Sequence, residues 1–361
     1  MLLLGCADAT DLFSRIASVG FEDLADDEVP LLVVRGDGPD WSALDAHSLA
    51  SIDTDLRAVT LAVVDGDPPP PDHPAKAFDV VLGAGVAGDD GAGGCAVFSA
   101  EIDTDIARLA ETVGRSPQAS VALAQLLRMD LSGDVGAGLV GESLTYSMLQ
   151  SGPEFARWFA ERATGDRPSA VIETDSPVVL GRVGDRHTIT LNRPHRANAV
   201  SASLRDHLVA ALESVSAEGD DLSIELRAAG PNFCSGGDLG EFGTFPDPAT
   251  AHHVRTTRSP ARWAARLAQR LEAHIHGVCA GAGIELPAFA HRIVAAPNTD
   301  IWLPELGLGL IPGAGGTVSL PRRIGRHRTA WLGLTGQHIG AETAKSWGLV
   351  DEIADPTADR D

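Results

Sequence analysis

Lysine is almost missing from this 361-residue chain: Lys76 and Lys345 are the only two, and 28 Lys+Arg stand against 50 Asp+Glu for a formal net charge of -22. So acidic a chain is repelled by nucleic acid and by anionic membrane surfaces, which argues against both as partners. Any anionic ligand must then be met by arginine or by backbone N–H groups. Cysteine is scarce as well. Cys6, Cys95, Cys234 and Cys279 are scattered without a CxxC spacing, which argues against a metal site or a disulfide framework and fits a reducing cytoplasm. No apolar run reaches the roughly 20 residues that a bilayer span needs. The opening "MLLLGC" lacks the basic region and the full apolar segment of a leader, and reads as a first β-strand. A nucleotide-binding loop in a usable context is missing too: "GAGVAG" at 83–88 matches G-x-G-x-x-G, but "DDGAGG" follows it and cannot open the required helix.

What is present is a chain with 44% hydrophobic residues, long enough for two domains. Breaker-rich stretches stand at 66–74, at 83–94 and at 163–170, and the domain boundary is placed at the last of these. Beyond it, "PVVLGRVGDRHTITLNRP" predicts two short strands around a turn at Gly184 and Asp185. "SASLRDHLVAALESV" predicts an amphipathic helix with Leu204, Leu208, Ala211, Leu212 and Val215 on one face. A strand at "LSIELRAA" and a loop at "GPNFCSGGDL" complete a layered α/β pattern.

The stretch "HIHGVCAGAGIELPAFAHRIV", 274–294, holds one acid, Glu285, among glycine, alanine and larger apolar residues. A carboxylate buried there needs either a structural partner or a use, because burial without a partner costs free energy and raises its pKa. The pattern predicts a strand end at His276, a glycine turn, and a helix from about Ala282 with Glu285 in its first turn. N–H groups at a helix start are unpaired and carry the positive end of the dipole, so they can receive an oxyanion. Gly237, in the loop "FCSGGDL", offers a second donor. Two such donors on one carbonyl oxygen form an oxyanion hole. His274 and His276 resemble a metal pair, but no third ligand is suitably spaced, and no metal is expected. Asp238 reads as a loop cap.

Five blocks, "LNRPHRANAV" (191–200), "NFCSGGDLGEF" (232–242), "HGVCAGAGIEL" (276–286), "LPELGLGLIPGAGGTVSLPRRIG" (303–325) and "LTGQHIGAETAKSWGLVDEI" (334–353), resemble the crotonase (enoyl-CoA hydratase/isomerase) superfamily in order and spacing. The resemblance covers about 176–354. It implies an α/β fold of repeated ββα units and an enzyme that binds an acyl-CoA, with coenzyme A as part of the substrate and no separate cofactor. It implies an oxyanion hole at Gly237 and Ala282, catalytic acids at Glu285 and Glu305, and contacts along the CoA moiety at Arg196, Ala197 and Ser235. Hydration of a 2-enoyl-CoA suits two carboxyl groups, one to activate water and one to exchange the α-carbon proton. Isomerisation, hydrolysis of a thioester or C–C bond, and a non-catalytic assembly subunit are the alternatives.

Three departures from the family pattern bear on the substrate. Trp302 stands where a small residue is usual and is expected to line the substrate pocket; Pro287 is expected to lie inside the helix that carries Glu285; His291 replaces an aspartate. The family pattern also stops at "GLVDEI", without the helical tail that covers the site and builds a trimer in relatives. "SPQASVALAQLLR" (116–128) and "GLVGESLTYSMLQSGPEFARWFAER" (138–162) look like that tail. Residues 1–165 are therefore expected to be a degenerate crotonase-like unit with trimerisation-type helices, fused before a catalytic unit, 170–361, that lacks its own tail. A homotrimer is the expected assembly.

Overall fold

The computed structural model describes residues 1–19, 30–37, 40–44, 49, 52, 56–64, 69–70, 72–85, 94–163, 175–219, 222–244 and 246–354. The chain opens with β1 (Leu2–Gly5), as "MLLLGC" predicts, and continues through α1 (Cys6–Val19), β2 (Leu31–Gly36), β3 (Val59–Val64), β4 (Val80–Ala84) and β5 (Ala96–Ser99). These strands form one parallel sheet whose spatial order is the order of the sequence. A parallel sheet must be covered on both faces, and alternate side chains serve the two covers. Leu31, Val33, Leu61, Val63 and Leu82 face one core, while Leu32, Val34, Ala62, Val64 and Val81 face another that contains Phe13, Trp41 and Phe78.

The helices α2 (Ile102–Arg115), α3 (Pro117–Arg128), α4 (Val135–Gln150) and α5 (Pro153–Ala163) follow. The Glu154 carboxylate accepts from Gln118 N (2.7 Å) and Ala119 N (3.0 Å), which caps α3 with a residue of α5 and fixes the two helices together. The boundary expected at 163–170 lies, after Ala163, outside the described residues.

The second half begins with β6 (Val178–Val183) and β7 (Arg186–Leu191), an antiparallel hairpin about Gly184. Then come α6 (Ala202–Ala217), β8 (Ser223–Ala228), α7 (Pro248–Thr257), α8 (Pro260–Arg266), β9 (Leu271–Ile275), β10 (Val278–Ala280), α9 (Ala282–Glu285), β11 (Arg292–Ala295), β12 (Asp300–Trp302), α10 (Gly316–Thr335), β13 (Ile339–Gly340), α11 (Ala341–Ser346) and β14 (Glu352–Ile353). Ser201 Oγ accepts from Leu204 N (3.1 Å) to cap α6, and the five apolar residues named for its inner face are all buried. The large sheet has the order β14-β11-β9-β8-β7-β6, and β10, β12 and β13 make a small second one. Apart from the edge strand β6, the large sheet is parallel and again runs in sequence order, the same topology as the first sheet. Among the described residues no helix is long and apolar enough to cross a membrane.

The halves share one core, while the cluster around Phe13, Trp41 and Phe78 belongs to the first half alone. One apolar cluster runs from Leu61, Leu82, Leu109 and Leu123 into Val318, Leu320 and Trp331. Contact between the helices is close: a Cβ at Gly138 would stand 2.6 Å from Val318 Cγ2, and one at Gly333 would stand 2.6 Å from Leu123 Cδ2. Polar contacts cross as well. Ser116 Oγ donates to Leu306 O (2.8 Å) and Arg322 Nη1 to Ser132 O (2.6 Å). Buried Arg128 grips Asp79 through Nε (2.8 Å) and Nη2 (2.6 Å) and also donates to Leu56 O and Ala58 O, so that α3 is bolted to the first sheet.

A fragment of residues 170–361 would expose the whole face of α10 that now meets α3 and α4, and apolar patches of that size drive association. We expect this fragment to be insoluble or inactive when expressed alone, and co-expression with residues 1–165 to restore a soluble complex on size-exclusion chromatography. A soluble, fully active isolated fragment would show that the first half is dispensable.

Candidate active site

The site is built around the turn from β10 to α9. Gly281 joins them with φ +49° and ψ -120°, a conformation open to glycine and strained for other residues. Its N–H donates to Trp302 O (3.0 Å), and its carbonyl accepts from Ile284 N and Glu285 N (2.9 Å each), which starts the helix. Space imposes glycine as firmly as conformation does. A Cβ here would lie 2.2 Å from Glu305 Oε1 and 3.7 Å from Glu285 Oε1, so the two acids named from the sequence converge on this residue.

The loop that carries Gly237 is laced to the same strand. Cys234 N donates to Val278 O, Ala280 N donates to Cys234 O (3.0 Å each), and a Cβ at Gly283 would stand 2.2 Å from Cys234 O. On the far side, Val200 N donates to Gly236 O (2.8 Å) and Asp238 N to Val200 O (3.0 Å). Among the described residues no acceptor meets the N–H of Gly237 or of Ala282.

Glu285 is buried, and its Oε2 accepts from Ala314 N (2.7 Å) and Gly316 N (2.8 Å) at the start of α10. Ser319 Oγ donates to Glu285 O (2.7 Å), which fixes the main chain from the same helix. Burial holds its carboxyl well above the ordinary carboxylate range, and the neighbouring Glu305 and Glu142 add to this against the two N–H donors. Glu305 opens the short turn Glu305–Leu308; its Oε2 is buried without a hydrogen-bond partner. Burial, with the charge of Glu142 behind it, raises Glu305 to about 8.

Glu142, on α4, was not singled out by the sequence. It is buried, and its carboxylate accepts from Gly315 N (2.7 Å), Thr317 N (2.9 Å) and Thr317 Oγ1 (2.7 Å). Burial lifts it to about 7, against those donors. The signal that could have found it is the lone acid within "VGAGLVGESLTYSMLQ", the same anomaly that drew attention to Glu285. A cavity of about 130 Å³ lies beside it, lined in part by Leu139, Val200, Leu286 and Gly313 to Gly315.

The three residues assigned to coenzyme A form one corner. Arg196 and Ala197 occupy a turn in which Ala197 takes φ +48°, and Ser235 N donates to Ala197 O (3.0 Å). The Arg196 guanidinium lies 3.8 Å from Asp238 Oδ1 and is partly exposed. Asp238 accepts from Gly240 N (3.0 Å) and pairs with Arg193 (3.2 Å), a loop cap as expected.

Trp302 meets the site through its main chain, the carbonyl that receives Gly281 N–H. Its indole lies flat on the His338 imidazole, centroids 4.0 Å apart, and His338 is tied in turn to Asp300 (2.9 Å). The expectation for Pro287 needs correction. The α-helix is a single turn ending at Glu285, and Pro287 opens a separate 3-10 turn where no N–H is needed, so Glu285 is not displaced by a lost helical bond. His274 Nε2 contacts Glu272 (2.6 Å) and His276 Nε2 contacts Gly230 O (2.9 Å).

Comparison with known proteins matches residues 187–359 to the family model for enoyl-CoA hydratase/isomerase. The 2,3-dehydroadipyl-CoA hydratase of Escherichia coli K12 is 36% identical over 183 residues, 49% of this chain and 69% of that protein. The 1,2-epoxyphenylacetyl-CoA isomerase of the same organism is 34% identical over 172 residues, 46% of this chain and 66% of that protein. The crystal structure of an enoyl-CoA hydratase from Thermoplasma volcanium matches at 31% identity and a TM-score of 0.46, covering 52% of this chain and 75% of that one. The chain thus spans about two thirds of the length of these curated relatives, and Glu142 lies before the matched segment.

A carboxyl group whose pKa is raised on folding favours the folded state fully below its unfolded pKa of 4.5, and this contribution is lost as pH rises through about 8 for Glu305. Glu305→Gln keeps the shape and removes the ionisation. Thermal unfolding of the full chain between pH 5 and pH 8.5 should therefore show a steeper loss of Tm in the wild type than in this variant; parallel curves would mean that Glu305 ionises without penalty.

Proposed function

The chain belongs to the enoyl-CoA hydratase/isomerase family, the crotonase superfamily, and from that premise we propose that it binds an acyl-CoA and adds water across the double bond of a 2-enoyl-CoA. The observation that carries the reading is the convergence of Glu285 Oε1 and Glu305 Oε1 on Gly281, one residue before the unengaged N–H of Ala282.

In this reading the thioester oxygen accepts from Gly237 N–H and Ala282 N–H, which stabilise the enolate that forms as water adds. Two N–H groups already occupy Glu285 Oε2, so its Oε1 is the oxygen open to a water molecule. The buried pair cannot sustain two negative charges, and one carboxyl stays protonated. The ionised partner takes a proton from water as the water oxygen bonds to the β-carbon. The neutral partner gives its proton to the α-carbon, and the pair ends with its proton exchanged and one water added to the substrate. Arg196, Ala197 and Ser235 lie along the CoA moiety. An apolar stripe on the outer side of α4, Val140, Leu144 and Met148, is exposed in the single chain and supports the trimer expected of the family.

A panel of enoyl-CoA esters in ¹⁸O-labelled water tests the reaction. Hydration places the label on the β-carbon, isomerisation moves the double bond without label, and hydrolysis releases free coenzyme A. Glu285→Gln and Glu305→Gln should each lower kcat by about 10²–10⁴-fold with little effect on ester binding. Near-normal rates in both variants would remove the pair from the mechanism.

A further inference from the structure

Four consecutive main-chain N–H groups, from Ala314 to Thr317, are shared alternately between two acids. Ala314 and Gly316 donate to Glu285, while Gly315 and Thr317 donate to Glu142. Glu285 comes from the segment that matches the family, and Glu142 comes from the helices that precede it. The turn is therefore clamped from opposite sides, and its glycines leave no slack: a Cβ at Gly316 would stand 2.6 Å from Glu285 Cγ, and Gly315 has φ +102°. If the N–H groups of Gly315 and Thr317 lose their acceptor, the turn can rotate, and the N–H groups that hold Glu285 rotate with it.

We propose that Glu142 is a positioning residue for this site: it fixes the 314–317 turn from the N-terminal half, and through that turn it sets both the placement of Glu285 and the charge that the Glu285–Glu305 pair can carry. The proposal rests on the reading of Glu285 and Glu305 as the reacting acids only for its effect on turnover. The charged and titratable groups around Glu142 are Glu285 on α9, Glu305 on the turn after β12, Arg255 on α7 and Tyr146 on its own helix. Arg255 lies over the Tyr146 ring, 4.5 Å from its centroid, and donates to Ser143 Oγ (3.1 Å) and to Ser147 Oγ. Among the described residues no ion pair reaches Glu142, Glu285 or Glu305; the charge of Glu142 raises both Glu285 and Glu305, Glu305 also raises Glu285, and the Arg255 charge favours the Glu142 anion. A negative Glu142 makes a second negative charge beside it harder to form and keeps the catalytic pair partly protonated near neutral pH.

The test uses the full-length chain with ¹³C-labelled glutamate side chains, so that carboxyl titration is read by NMR without any substrate. Signals are assigned with Glu285→Gln and Glu305→Gln. In Glu142→Gln the titration midpoints of Glu285 and Glu305 should move to lower pH by about one unit or more, since a unit charge about 4 Å away at an effective dielectric of about 20 is worth about three units and a more distant one proportionately less. With an enoyl-CoA substrate, kcat should fall by about tenfold or more while KM stays within about threefold, the signature of an interaction lost in the transition state. Glu142→Asp keeps the charge but is one methylene shorter, so the midpoints should stay near the wild type while kcat still falls, which separates charge from placement. Thr317→Val removes only the hydroxyl donor and serves if Glu142→Gln does not fold; weaker stabilisation of the Glu142 anion should move the same midpoints in the same direction by a few tenths of a unit. A folded Glu142→Gln with unmoved midpoints overturns the proposal, as does an unmoved Thr317→Val, and as does a loss of Tm and activity with the titration unchanged, which is what a purely structural cap would give. Failure of the wild type to act on any enoyl-CoA would instead overturn the hydration reading and leave the titration result to decide this one.

Discussion

Burying three carboxyl groups within one site, with no arginine or lysine among the described residues in an ion pair with any of them, is the constraint around which this molecule is arranged. Each acid lost its water, and the protein returns hydrogen bonds only in part. Glu285 receives two main-chain donors, Glu142 receives three donors from Gly315 and Thr317, and Glu305 keeps one buried oxygen with none. Nearly all of the donors come from the start of α10, where N–H groups have no helical partner and the dipole favours negative charge. The helix thus gains its cap from Glu285 and Glu142, and these two acids gain their main-chain hydrogen bonds from the helix start.

That exchange explains the glycines. Gly316 lets Glu285 approach the main chain, Gly315 makes room for Phe289 and Ala261, and Gly281 lets Glu305 reach the turn from β10 to α9. A methyl group at any of these positions would collide with a ring or a carboxylate, so the close packing and the chemistry are one requirement. It explains the joined core as well. Glu142 can reach Gly315 only because α4 lies close on α10 at Gly138, and α3 holds α4 in place while being bolted to the first sheet by Arg128 and Asp79. The helices of the first half bring Glu142 onto the same turn of main chain that holds Glu285.

The first sheet and the large sheet of the second half each hold five parallel strands in sequence order. Parallel strands that are buried on both faces read as continuous apolar runs, and such runs carry little that distinguishes one parallel sheet from another.

Local chemistry was legible in the sequence. The Gly184 hairpin, the Ser201 cap with its five-residue apolar face, the glycine turn before Glu285 and the cap at Asp238 each depend on neighbours a few residues away, and the pattern of residue types is enough to specify them. The partner acid Glu305 was legible only through the family resemblance. What the tertiary structure decided depends on contacts across the chain. The neighbour of Trp302 is one example: the pairing of β12 with β13 brings His338 beside Asp300 and gives the indole a stacking partner. Glu142 had no signal beyond being an acid on a mostly apolar helix, because the N–H groups that justify it lie more than 170 residues further on. A helix shows from its own sequence which face must be buried. It does not show whose unpaired donors that face will meet.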